Sequence, residues 1–236
     1  MTTTQHEIPV LALDGPSGSG KGAVGVEIAQ TLSWNYLDSG ALYRIVGLLA
    51  EKRQIALDDA RGLAELARDM DISMPLPGQG EVQILLQGED VSEEIRGETR
   101  GQAASQVAAI PGVRESLITQ QRKALRPPGL VADGRDMGSV IFPGALLKVY
   151  LTASVEVRAQ RRYKQLIAKG FDVTLPRLRA AIQRRDEQDT TRTSSPLVVA
   201  DDAVVIDTSA FSLDEVVAKV MHELQGRLAE GGYANA

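Results

Sequence analysis

The chain has 236 residues, 43% of them hydrophobic and 24% charged, the balance of a globular protein with room for one sizeable core. It contains no cysteine, which excludes disulfides, thiolate-held metals and a cysteine nucleophile, and its two histidines, His6 and His222, have no spacing that makes a zinc site. A net charge of −5 argues against a general nucleic-acid binder, no apolar run approaches the roughly 18 residues of a membrane span, and the start "MTTTQHE" lacks an export signal, so a soluble protein of the reducing cytoplasm is expected.

In chain order, Ile8–Leu13 is a continuous apolar run that reads as a strand buried on both sides. Directly after it, Gly15, Pro16, Ser17, Gly18, Ser19, Gly20 and Lys21 fit G-x-x-x-x-G-K, and a helical pattern begins near Gly22. Glycines let such a loop curl so that successive N–H groups meet phosphate oxygens. The helix N-terminus adds partial positive charge, and the lysine reaches the outer phosphates. Gly22 and Ala23 follow, so the hydroxyl that usually stands directly after the lysine is missing.

Tyr36-Leu37 is a short strand candidate inside "YLDSGALYR", which supplies Asp38, Ser39, Tyr43 and Arg44. Asp38 fits both a helix N-cap and a site residue. Pro75–Arg96, "PLPGQGEVQILLQGEDVSEEIR", breaks the rhythm with two turns, a strand-like run at Glu81–Gln87 and a second extended piece, so a small antiparallel insert is expected. Thr99–Ala109 and Val113–Leu125 read as helices parted by Pro111-Gly112. Leu130–Ala132 is the next strand, and Asp133, Gly134, Arg135 and Asp136 stand at its end. Leu147–Leu151 and Val204–Ile206 are further strands, with helices at Val155–Ala168 and Leu175–Asp189 between them and a frayed "GGYANA" at the end.

From Ala153 to Arg192 the chain carries 10 Lys or Arg against 5 Asp or Glu, a basic segment in an acidic protein. Arg158, Arg161 and Arg162 share one helical face, and Arg185, Asp189 and Arg192 share another if helix persists that far. Such a segment suits a small anion or a solvated helical surface. Alternating strands and helices predict a parallel α/β sheet, whose ligands bind beyond the carboxyl ends of the strands. That rule gathers the glycine loop, Asp38 and Asp133–Asp136 at one edge.

Together, "LDGPSGSGKG", "LDSGALYR", "GEDVSEEIR", "ASQVAAIPGVRE", "ADGRDMGSVIFP", "KGFDV" and "RRDEQDTTR" resemble the nucleoside monophosphate kinases, and among them the bacterial cytidylate kinases, from about Ile8 to Leu228. The resemblance implies a P-loop core with a five-stranded parallel sheet flanked by helices, a small antiparallel β insert that binds the monophosphate, and a helical lid. The core would take about residues 8–62, 98–152 and 193–230, the insert about 63–97 and the lid about 153–192. It implies ATP as donor with Mg²⁺ held mainly through nucleotide phosphates and water, CMP or dCMP as acceptor, a monomer, and no metal held by the protein itself. By the same resemblance Ser39, Ser105, Arg114 and Asp136 meet the cytosine ring, Asp189 the sugar hydroxyl, and Arg44, Arg135 and Arg192 the acceptor phosphate. The resemblance makes Lys21, Arg161 or Arg162, and Arg185 the best candidates for contact with the phosphoryl group in transfer. The family commonly has "GKGT" or "GKGS", so Gly22 is a family trait and Ala23 is the departure.

Overall fold

A computed structural model describes residues 8–76, 82–168, 170–192 and 195–233. The N-terminal residues 1–7, the last three residues of the expected frayed end and part of the expected insert strand lie outside these residues, whereas Tyr233, also expected to fray, gives its N–H to the Leu228 carbonyl and packs against the core.

Strand β1 (Val10–Asp14) is buried at every position and runs into the glycine loop, after which α1 (Lys21–Leu32) begins. Gly15 makes this turn possible. Its φ is +147°, and a Cβ there would stand 2.0 Å from the Leu151 carbonyl oxygen. Strand β2 (Asn35–Asp38) ends on Asp38, whose side chain accepts the Ala41 N–H and so caps α2 (Ser39–Lys52). Helix α3 (Ala60–Arg68) follows. Then come the three antiparallel pieces β3 (Ile72–Ser73), β4 (Leu85–Leu86) and β5 (Glu89–Asp90).

Helices α4 (Glu98–Val107) and α5 (Pro111–Arg122) lead to β6 (Leu130–Gly134) and a five-residue π-helical turn at Met137–Ile141. Strand β7 (Leu147–Thr152), the hairpin of α6 (Val155–Ala168) and α7 (Leu175–Thr191), β8 (Val204–Asp207) and α8 (Leu213–Glu230) complete the chain.

The main sheet is parallel, in the order β2-β6-β1-β7-β8. The central β1 and β6 are buried throughout, as continuous apolar runs require. The edge strand β8 keeps one of its four residues buried. Helices α1 and α8 pack together against the sheet, while α2 packs on β6 and also against α3 and α4, and α5 packs on α3. Among the described residues, no helix is long and apolar enough to cross a membrane.

The parallel register aligns Asp38 with Asp133 and Asp14 with Gly134. Three carboxylates therefore end their strands at one edge, beside the start of α1.

The insert is less regular than its sequence suggests. Ile84 gives its N–H to the Ser92 hydroxyl at 2.9 Å rather than to a neighbouring strand, so the ladder shortens to Leu85–Leu86. Strand β3 and the π-helical turn have no counterpart in the sequence reading. The turn exists because Asp14 accepts both the Met137 and the Gly138 N–H at 2.8 Å. That anchor lies more than 120 residues away along the chain.

Candidate active site

Beyond the carboxyl ends of β1, β2 and β6 lies a cavity of about 230 Å³. Its walls bring together Lys21, Ser39, Arg44, Ser105, Arg114, Arg135, Asp136, Arg185, Asp189 and Arg192, from α1, α2, α4, α5, α7 and the β6 strand end. These residues span more than 170 positions of sequence. Gly15, Pro16, Gly18, Ser19, Gly20 and Ala23 do not line it; the first five belong to the loop beside it, and Ala23 is an exposed residue in the first turn of α1. Arg161 and Arg162 also stand outside its lining.

At one end of the cavity Arg114 pairs with Asp136, both side chains 5% exposed. Arg114 sits over the Tyr43 ring, 5.8 Å from its centre, and gives a further hydrogen bond to the Ala108 carbonyl. A buried ion pair held this firmly presents a fixed donor and a fixed acceptor to whatever enters. Arg135 donates to Asp189 at 2.8 Å. Burial acts to raise the Asp189 carboxyl, but the Arg135 charge and hydrogen bond outweigh it and hold the group below the usual range. Asp189 is thus an ionised acceptor on α7, facing the β6 strand end. Ser105 on α4 donates to the Gln188 side-chain oxygen at 3.2 Å.

At the loop end, Lys21 donates to the Pro16 carbonyl at 3.3 Å and stands 3.8 Å from Asp133. Burial pushes the Lys21 amine down, helped by the nearby Arg135 charge, and pushes the Asp133 carboxyl up. The pair is therefore a loose one in a dry pocket, where Lys21 is available to a stronger anion. Tyr36 donates to the other Asp133 oxygen at 3.2 Å. Arg185 donates to the Ser17 hydroxyl at 3.3 Å, which ties α7 to the loop.

Arg161 is spent on other partners. It donates to the Thr208 hydroxyl at 2.9 Å and to the Thr208 carbonyl at 2.6 Å. Arg44 donates to the Ile95 carbonyl at 3.0 Å, tying α2 to the insert.

The Ser19 hydroxyl, in the glycine loop, and the Arg192 Nη2 are among the buried donors with no hydrogen-bond partner among the described residues. Such groups are costly unless a ligand satisfies them, and both suit phosphate oxygens. No group of three or more His, Cys, Asp or Glu that could hold a metal ion occurs among the described residues. Asp38 and Asp133 line the cavity beside Lys21, and two carboxylates fit a hydrated divalent ion that a nucleotide brings with it.

Sequence reasoning missed Asp14, Thr208 and Tyr36. Each works through long-range contacts, and none carries a local signal. Asp14 is buried, which lifts its carboxyl from 3.8 to about 6 against the pull of the Gly138 and Met137 N–H bonds. Between about pH 4 and 6 the folded parent therefore holds a proton that the unfolded chain has lost, and its stability falls as pH rises through that window. Asp14→Asn removes this titration. Its unfolding free energy relative to the parent is expected to rise by up to about 3 kcal/mol from pH 4 to 7. Urea titrations of both proteins across that range check it, and a pH-independent difference would count against it.

The cytidylate kinase family profile matches residues 11–226. Cytidylate kinases of Shewanella loihica and Aeromonas salmonicida are each 47% identical over 222 residues, covering 94% of this chain and 96% of theirs. One from Sodalis glossinidius is 48% identical over 221 residues, covering 94% and 97%. With a P-loop, a five-stranded parallel core and an arginine-lined cavity already in place, these matches along nearly the whole length show that the chain belongs to the cytidylate kinase family of nucleoside monophosphate kinases.

Proposed function

We propose that this protein transfers the γ-phosphoryl group of ATP to CMP or dCMP, giving ADP and CDP or dCDP, as a cytoplasmic monomer in pyrimidine nucleotide metabolism. The observation that carries the choice of base is the buried Arg114–Asp136 pair. Cytosine offers an amino donor beside two acceptors, so Asp136 takes the amino group while Arg114 gives to the ring nitrogen and carbonyl. Uracil reverses donor and acceptor at two of these three positions and leaves buried polar groups unpaired. Ser39 and Ser105 border the same ring, and Asp189 accepts from the sugar hydroxyl.

Arg44, Arg135 and Arg192 hold the acceptor phosphate, one of whose oxygens attacks the γ-phosphorus in line as the bond to the β-phosphate oxygen breaks. That oxygen is already ionised at neutral pH, so no general base is needed. Residues 15–20, with Gly22 and Ala23 behind them, cradle the donor phosphates, and Lys21 and Arg185 neutralise the group in flight. Of the two further lid arginines, Arg161 steadies the loop from its far side, and Arg162 stays a candidate for phosphate contact. Mg²⁺, held through phosphates and water near Asp38 and Asp133, supplies charge neutralisation on the donor. The α6–α7 hairpin excludes water and so limits ATP hydrolysis.

Initial rates with ATP, Mg²⁺ and CMP, dCMP, UMP or dTMP test the reading. Preference for the two cytidine nucleotides is expected, and preference for UMP would overturn the base assignment. Ala23, exposed in the first turn of α1, leaves room for one more donor contact. Ala23→Thr is expected to lower the ATP KM several-fold, about 1–1.5 kcal/mol for one added hydrogen bond. An unchanged or raised KM would show that the position lies out of reach of the phosphates.

A further inference from the structure

We propose that Arg158, which does not line the cavity, is a positioning residue that sets Arg185 by locking the lid helix to the phosphate loop. The inference rests on the reading that Arg185 meets the phosphoryl group in transfer.

The Arg158 side chain is 4% exposed, and its donors are taken by three different segments. Nε gives to the Ala153 carbonyl at 2.9 Å, at the end of the β7 strand. Nη1 gives to the Ser17 carbonyl at 3.1 Å, in the middle of the loop. Nη1 and Nη2 grip the two oxygens of Asp186 on α7 at 3.0 and 2.6 Å. The next residue back, Arg185, gives its own Nη1 to the Ser17 hydroxyl. Ser17 is thus held at its carbonyl by one lid helix and at its hydroxyl by the other.

The approach is close as well as polar. Gly18 has φ +79°, and a Cβ there would lie 3.2 Å from the Arg158 Cβ, so the loop rests directly on α6.

A planar fork with partners on three segments fixes their mutual angles in a way that a single point charge cannot. Its burial makes any arrangement that leaves it half-paired unfavourable, so loop and α7 are held together or released together. Arg158 does not line the acceptor cavity, and therefore acts on transfer through the segments it holds, the Ser17 carbonyl of the loop and Asp186 with its neighbour Arg185. Lysine at 158 would keep the charge and lose the fork. Asparagine at 186 would keep one acceptor and lose the paired grip.

The test uses the full chain carrying Arg158→Lys, Asp186→Asn, Arg185→Lys, and each of the first two combined with the third. Steady-state kcat and KM for ATP and CMP are read well below each variant's Tm. Arg158→Lys and Asp186→Asn are each expected to lower kcat about tenfold or more with both KM values within about threefold, and to add no further loss in the Arg185→Lys background, as coupled residues do. The inference is overturned if both single variants keep kcat within about threefold of the parent while Arg185→Lys is impaired, or if the losses simply multiply. If Arg185→Lys itself retains full kcat, the role of Arg185 falls, and the inference falls with it. Asp186→Asn keeps the test decisive if Arg158→Lys does not fold.

Discussion

Lys21→Met is expected to lower kcat about 10²- to 10³-fold while leaving the fold intact, the size of effect seen when one preorganised donor to a developing charge is removed. Lys21 is buried at the start of α1, and its two partners, the Pro16 carbonyl at 3.3 Å and Asp133 at 3.8 Å, are both at the long end for a charged donor. An amine held this loosely, already pushed toward neutrality by burial and by Arg135, gains most when dianionic phosphate arrives.

Methionine keeps the length and the apolar stem, and the uncompensated partner, Asp133, can accept a proton because burial has already raised its carboxyl. Fold and Tm should therefore survive the loss of the charge. ADP release coupled to CMP, read beside a thermal melt, checks both halves. A variant that retains kcat within about threefold would remove Lys21 from the transferring group.

The second large effect is on specificity. Asp136→Asn is expected to reduce kcat/KM for CMP and to shrink the CMP-over-UMP preference by about 10- to 100-fold, as one charge-assisted hydrogen bond is worth about 1.5–3 kcal/mol. The asparagine amide turns one acceptor into a donor, which the uracil carbonyl can use and the cytosine amino group cannot. It also leaves Arg114 without its full countercharge in a site where both side chains are nearly closed to solvent. Some loss of Tm should therefore accompany the change in selectivity. Rates with both monophosphates at subsaturating concentration decide it. A variant that slows both substrates equally would show that the pair only supports the fold.

Much of this could be read along the chain. The strand–loop–helix grammar of "LDGPSGSGKG" needs only local chemistry: an apolar run, glycines where the backbone must turn, and a lysine at the helix start. The central β1 and β6 were legible because strands buried on both faces are continuously apolar, and even the weak Tyr36-Leu37 signal lies within β2. Arg185, Asp189 and Arg192 could be placed on one face by spacing alone, and all three line the cavity although helix α7 ends at Thr191. Ser105 and Arg114 were different. Nothing in their own neighbourhood marks them, and only resemblance raised them above an ordinary helical serine and arginine.

Local chemistry and periodicity settle the phosphate loop, the parallel architecture and the basic character of the α6–α7 segment. Which charge meets which is settled only in three dimensions. Arg158, Arg161 and Arg162 are equivalent by spacing, yet one clamps Ser17 to Asp186, one is taken up by Thr208, and neither of these lines the cavity. Asp14 is one more strand residue in the sequence, yet its two oxygens hold the turn that follows Arg135 and Asp136. Periodicity fixes the face on which a side chain lies. Its partner, and hence its burial, proton affinity and freedom to meet a ligand, depends on chain segments brought together from as little as 22 residues apart, for Arg114 and Asp136, to as much as 141, for Ser17 and Arg158.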